Sequence, residues 1–335
     1  VPGICFSSKE WSISQGLLSI AIKSASTPSA TGAFKEATMS QFRLSTPSTR
    51  ISSICLLATL ALTGSALAQP TVYALANGGS TLIRFPASNP SAVTVVGTFN
   101  GGNTFLDAID FRPATNQLYG YLDSADSFYT IDLTTAQLTL SSVGASGAPT
   151  NTFQLGLDFN PTIDRARLVT DSDQNIVFNP NTGTAAAFTN LFYATGDVNE
   201  EADPNIIDNA YTQNFLGSVT SQQYVIDYEL NSLARLANNA GTLNTVGLLG
   251  VDTSVYTGFD IFTSNGVDTA YAILTGTSGL PGFYTINLAT GEASLVGALG
   301  AGGTDQVYSL AVIPSPAAGL ALSLGLASFA GRRRR

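Results

Sequence analysis

The sequence predicts an all-β fold: a five-bladed β-propeller of four-stranded blades, closed by the C-terminal strand pairing into the N-terminal blade. Three observations predict it. Residues Ala108 to Gly144 read as four short aromatic and β-branched runs, each ended by turn chemistry at Arg112-Pro113, Asp123, Thr134-Thr135-Ala136 and Gly144. The same pattern recurs at a spacing near fifty residues, which is the period of a propeller blade. The first copy begins at a second strand and the last copy is a first strand alone, so together they complete one blade and cover two open edges.

The inner strands set the register. Ile109-Asp110-Phe111, Leu157-Asp158-Phe159 and Phe259-Asp260-Ile261 share one motif, and Asn209-Ala210-Tyr211 and Leu310-Ala311-Val312 fit its slot with Ala for Asp. The central residues are 110, 158, 210, 260 and 311, in steps of 48, 52, 50 and 51. Second strands align at Val72-Tyr73-Ala74, Leu118-Tyr119-Gly120 and Ala270-Tyr271-Ala272. Third strands are expected at Leu82–Phe85, Phe128–Asp132, Asn175–Asn179, Tyr224–Asp227 and Phe283–Asn287. Fourth strands end in Val-Gly at 96–97, 143–144, 246–247 and 296–297. The connection Phe192–Pro204 is longer than the others, and long loops on a rigid scaffold often carry function.

The 335-residue chain is not uniform outside the repeats. All three lysines and the only tryptophan precede Met39, the only methionine, so residues 1–38 are expected to be an upstream extension. Residues 39–68 then read as a signal peptide: Arg43 and Arg50, the apolar run Ile54–Leu62, and small residues at Ser65-Ala66-Leu67-Ala68. The propeller is expected over 69–313 and a tail over 314–335, with Pro314-Ser315-Pro316, an apolar run to Ala330, and Arg332 to Arg335. The tail's run is short for crossing a bilayer, so its membrane contact is expected to be transient. Secretion or cell-surface display is the localisation these ends predict.

Composition excludes whole classes of chemistry. The body from 69 to 331 has five arginines against 17 Asp and 4 Glu, and no His, Cys or Lys. Triads built on His, imidazole or thiolate zinc sites and Lys Schiff bases are therefore excluded there. The acidic balance also disfavours nucleic acid. Enzymes working with carboxylates alone remain open.

Asp110, Asp158 and Asp260 are expected near the central axis, each bonding backbone N–H groups at its own blade's turn, with a functional carboxylate cluster as the competing reading. Two calcium candidates are Asp171, Asp173 and Asn175, half of an oxygen-rich loop, and the acidic run Asp197, Glu200, Glu201 and Asp203. For both, a plain turn or a solvated loop is the competing reading. Arg165 and Arg167 alternate on one strand and are expected to pair with the acidic run.

Two resemblances follow. The C-terminus resembles PEP-CTERM surface-sorting tails, with Pro-Ser-Pro in place of Pro-Glu-Pro. This implies removal by an exosortase-type protease in a Gram-negative-type or planctomycete-like host. The body resembles the bacterial family called domain of unknown function 4394. That match rests on Asp164-Arg165-Ala166-Arg167-Leu168-Val169-Thr170-Asp171, Gln174-Asn175, Gly196-Asp197-Val198-Asn199, Ala210-Tyr211-Thr212 and Gly241-Thr242-Leu243-Asn244-Thr245-Val246-Gly247. It implies a polar site at Arg165, Arg167, Gln174, Asn199 and Tyr211. Where family members read Gly-Gln-Asn-Leu-Arg, this chain has Asp173-Gln174-Asn175-Ile176-Val177, one arginine fewer. The expected function is a non-catalytic module binding extracellular polysaccharide or a surface protein. The alternative is a carboxylate-dependent glycan hydrolase or lyase.

Overall fold

The computed structural model describes residues 69–144, 154–276, 279–300 and 306–313. The expected extension, signal peptide and sorting tail lie outside the described residues.

Strands β1 (Thr71–Ala76), β2 (Thr81–Pro86) and β3 (Thr94–Thr98) open the first blade. The second blade is β4 (Ala108–Arg112), β5 (Gln117–Leu122), β6 (Ser127–Ile131) and β7 (Leu138–Val143). The third is β8 (Leu155–Asn160), β9 (Arg165–Thr170), β10 (Asn175–Phe178) and β11 (Ala185–Ala187). A short strand, β12 (Phe192–Tyr193), precedes the fourth blade: β13 (Ile206–Tyr211), β14 (Gln223–Asp227), β15 (Ser232–Leu236) and β16 (Thr242–Leu248). The fifth is β17 (Thr257–Ser264), β18 (Val267–Thr275), β19 (Pro281–Ile286) and β20 (Ala293–Ala298). Finally β21 (Tyr308–Ile313) pairs antiparallel with β1, Thr71 opposite Ile313 and Val72 opposite Val312, and completes the first blade. The fold is the expected five-bladed propeller.

Two assignments change. Tyr224–Asp227 is the second strand of its blade, not the third, because Ser232–Leu236 follows it as a further strand. The long connection after β11 does not hang free. Its β12 pairs in parallel with β16 on the outer edge of the fourth blade, with Phe192 opposite Thr242 and Tyr193 opposite Leu243. An edge that would otherwise be open is thereby covered.

Five apolar clusters fill the gaps between successive blades, so the core is a ring of interfaces rather than one centre. Phe128, Phe159 and Phe178 pack between the second and third blades, and Phe85 meets Phe283 edge-on between the first and fifth. Arg112 adds a polar clamp between the second and third blades. Its Nε and Nη2 donate to the two carboxylate oxygens of Asp164 at 2.6 and 2.5 Å, and its Nη1 donates to Asn181 Oδ1 at 2.8 Å. The clamp is asymmetric, since the Arg112 side chain is 4% exposed and that of Asp164 is 37% exposed.

This asymmetry predicts unequal mutational costs. Asp164→Ala strands a buried guanidinium and should cost about 3–5 kcal/mol. Arg112→Met leaves a carboxylate that water can reach, so the cost should be about 1.5–3 kcal/mol. Urea denaturation of the two variants checks the order; equal costs would mean the charge is not what the clamp contributes.

Candidate binding face

The central slot of each inner strand contains a hydrogen-bonding ring. The N–H groups of Phe159, Tyr211 and Val312 donate to the Oδ2 atoms of Asp110, Asp158 and Asp260 at 2.9, 2.7 and 2.7 Å. Each carboxyl thus grips the inner strand of the next blade. This corrects the expectation that it would bond its own blade's turn; Asp110 also accepts from its own strand, from the Phe111 N–H at 2.6 Å. An inner strand has nowhere else to send N–H groups that face its neighbour, and a buried donor left unpaired is costly.

The two blades with Ala in the slot solve the same problem one step earlier. Asp208, two residues before Ala210, accepts from the Phe259 N–H at 2.7 Å, and Ser309, two residues before Ala311, accepts from the Ile109 N–H at 2.9 Å. In both strands the pairing register shifts at this point, a β-bulge absent from the inner strands that carry Asp in the slot. The bulged strands press on the preceding blade, where Gly156 and Gly258 stand. A Cβ on Gly156 would lie 2.4 Å from Asp208 Cα, and one on Gly258 would lie 2.9 Å from Leu310 N. Only glycine permits either approach.

Asp110, Asp158, Asp208 and Asp260 are all at most 2% exposed. Burial holds the carboxyls of Asp110, Asp158 and Asp208 well above the usual carboxylate range, with the charge of Asp260 adding to the effect on each. Burial pushes Asp260 up to about 7, against the lowering effect of the Val312 and Ile261 N–H groups. Asp110 and Asp158 also influence each other, and the Asp110 charge adds to the raising of Asp158. The ring is buried and ties the inner strands to one another.

The residues implied by family resemblance divide. Arg167 and Tyr211 meet in the gap between the third and fourth blades: Arg167 Nε donates to Tyr211 Oη at 3.1 Å, Nη1 to Asn175 Oδ1 at 2.5 Å and Nη2 to Asn239 Oδ1 at 2.7 Å. Tyr211 Oη lies 2.8 Å from Asn238 Oδ1 and 3.0 Å from Gln223 Oε1. The Arg167 guanidinium also lies over the Phe188 ring. Arg165 instead donates to the carbonyls of Ile163 and Asp164. Neither arginine bonds the acidic run, which corrects that expected pairing; β9 buries Arg167 against amides before any carboxylate is in reach. Gln174 continues the β9–β10 turn through its own N–H to Thr170 Oγ1. Asn199 lies elsewhere, donating to Thr245 Oγ1 at 3.0 Å.

The calcium candidates are likewise placed. Asp171 and Asp173 form the turn between β9 and β10, and Asn175 belongs to the Arg167 network. Asp197 accepts from the Thr245 N–H and hydroxyl and from the Asn199 N–H, and Glu200 accepts from the Gly196 N–H. Burial, then the charges of Asp203, Asp227 and Asp171, raise Asp173 to about 6, so the two acidic segments approach each other there. Among the described residues, no group of three or more acidic side chains is arranged to hold a metal ion.

Open space lies at the end where the inner strands finish. The largest of three pockets there, about 460 Å³, is bounded by Thr71, Tyr73, Arg84, Thr94, Leu133 and Ile313, among others. A second, about 350 Å³, sits at the axial mouth against Phe111, Asn214, Phe215, Leu216, Phe262 and Ile313. A third, also about 350 Å³, lies on the second blade and includes Asn116, Gln117, Asp132, Leu133 and Gln137. The three are neighbours: the first and second share Ile313, the first and third share Leu133, and the second and third share Asn116. The wall at the mouth is the loop 212–222, which sequence reasoning passed over. The Gln213 N–H and Nε2 anchor it to the two carboxylate oxygens of Asp268, both at 2.9 Å, and the Asn214 N–H anchors it to Thr263 Oγ1 at 2.8 Å. The exposed pair Phe215-Leu216 was its one sequence signal.

No curated protein matches the chain in sequence. Among solved structures it is similar to a chain of a nidogen/laminin complex, at 10% identity and a TM-score of 0.45, covering 72% of this chain and 98% of that one. It is also similar to a protein of unknown function from Bacteroides thetaiotaomicron VPI-5482, at 14% identity and a TM-score of 0.42, covering 70% of this chain and 58% of that one. The family described as Domain of unknown function (DUF4394) matches residues 81–311, which span the repeats from β2 to β21, and the chain belongs to that family.

Proposed function

We propose that this protein is an exported bacterial module of the cell surface or matrix, a non-catalytic propeller that binds polysaccharide or protein on its pocketed face. The signal-like residues 39–68 and the PEP-CTERM-like tail 314–335, with its exosortase-type processing, support the location. One observation carries the binding reading: the carboxyls of the axial ring are sealed, while the three pockets are lined by amides, hydroxyls, apolar and aromatic side chains, one guanidinium and a single carboxyl. A glycosidase needs two carboxyls about 5–9.5 Å apart flanking a bound sugar. The only carboxyl among the residues of the three pockets is Asp132, and it accepts from Thr134 and Thr135.

A glycan array read for binding, with released sugars assayed in parallel, tests the reading. Retention of saccharide with no product is expected. Product release that survives Asp132→Asn, or that disappears with it, would overturn the non-catalytic assignment in favour of the glycan-active enzyme.

A further inference from the structure

The five arginines of the body are not equivalent. Arg112 is paired with Asp164, Arg167 is enclosed by Tyr211, Asn175 and Asn239, Arg165 holds backbone carbonyls, and Arg235 lies over the Tyr224 ring. The side chain of Arg84 alone, among the described arginines of the body, makes no hydrogen bond, ion pair or ring contact with a described residue, and it is exposed at the edge of the largest of the three pockets.

Its neighbours follow from the strand register. Tyr73 stands opposite Arg84 on β1 and Thr94 opposite it on β3, so the three side chains share one face of the first blade. The Tyr73 hydroxyl has no hydrogen-bond partner among the described residues either. Leu133 of the second blade closes the far wall. A guanidinium, a phenol, a threonine hydroxyl and an apolar wall thus surround one concavity of the size ligand sites take, about 300–1,000 Å³.

The charge of the rest of the body sharpens the point. With 21 Asp and Glu against five Arg, the body is acidic even with the axial ring protonated, so an unpaired guanidinium stands out on it. A free guanidinium is a planar fork of donors matched to a carboxylate, which it binds bidentately. The third pocket, on the second blade, offers Asn116, Gln117, Gln137 and Thr139, which suit hydroxyls, and one carboxylate, Asp132, which would keep a second uronate away from that side. We propose that the face binds an acidic polysaccharide, with Arg84 taking the carboxylate of one uronic-acid unit and the adjoining amides taking the neutral hydroxyls of the chain. This rests on the binding reading above and names its ligand class.

The probes are hexasaccharides of galacturonate, mannuronate and glucuronate, the methyl ester of the first, and a neutral cello-hexaose, titrated calorimetrically into the full protein. At least one uronate should bind and its affinity should fall with salt. Arg84→Gln should weaken it by at least about tenfold, the fold-change of a lost charged hydrogen bond, and should leave neutral-sugar binding unchanged. Arg84→Lys should recover only part of the loss, since an ammonium lacks the fork. Arg84 is exposed and unbonded, so these variants should melt with the parent. Equal binding of acid, ester and cello-hexaose would overturn the uronate assignment and leave the binding module standing. So would uronate binding indifferent to Arg84→Gln. Binding of none of the five sugars would also overturn it, and the module would then be a protein binder.

Discussion

Truncation after Thr304 is expected to abolish cooperative unfolding, whereas truncation after Ser315 should leave a folded body. The segment that separates them contains β21, the inner strand of the first blade. Val307, Leu310 and Val312 are at most 6% exposed. Burying an apolar side chain contributes roughly 1.5–3 kcal/mol, so the three contribute about 5–9 kcal/mol. Domain stability is typically about 5–15 kcal/mol, so this loss alone approaches the whole margin. The polar ring breaks with it. Asp260 loses the Val312 N–H, the Ile109 N–H loses Ser309 Oγ, and the Leu106 carbonyl loses the Tyr308 hydroxyl. Strand β1 is then left with an open edge that invites pairing between molecules. Differential scanning calorimetry with light scattering reads the outcome. A shorter chain that melts cooperatively near the longer one would mean that ring closure contributes little.

The closing strand was legible because period and composition agree in it: Leu310-Ala311-Val312 repeats the apolar slot of the other inner strands. The sequence also shows which blades lack the slot carboxyl, but not what replaces it. Asp208 and Ser309 are two residues early, and a bulge brings them into place; a strict repeat alignment discards such offsets. The paired glycines were the readable clue. Gly156-Leu157-Asp158 precedes the blade with Asp208-Asn209-Ala210, and Gly258-Phe259-Asp260 precedes the blade with Ser309-Leu310-Ala311. The family motifs were legible as residues, but not as a buried network. Arg167, Asn175 and Tyr211 fill a blade gap to which the third blade gives the apolar cluster little besides Val169, so they take the place of core. Pockets were the least legible feature, because they arise where loops from different blades meet at Asn116, Leu133 and Ile313, far apart in the chain.

The axial carboxyls should make the protein lose stability as pH rises from about 5 to 8, the reverse of what paired surface carboxylates produce. An unfolded Asp titrates near pH ~4. In the folded ring Asp110, Asp158 and Asp208 titrate well above that range and Asp260 at about 7. Between these limits the unfolded chain gives up protons that the folded one keeps. The unfolded state then binds fewer protons, and stability falls with each step in pH until the folded groups also ionise. Asp260, raised from 3.8 to about 7, contributes in this direction from the unfolded titration up to about pH 7. Asp107, raised to about 6 chiefly by burial, acts in the same direction. The opposite sign belongs to Asp132, held at about 2 by the Thr134 and Thr135 donors, and to Asp164, lowered by Arg112; their contributions are lost only on acidification below pH ~4. Maximum stability is therefore expected near pH 4–5. Asp260→Asn keeps an oxygen for the Val312 N–H and removes the ionisation, so it should flatten the decline and gain on the parent at pH 8. Urea midpoints of both proteins at pH 5 and pH 8 decide it. Stability that holds or rises toward pH 8 in the parent would mean that the ring carboxyls ionise freely in the fold.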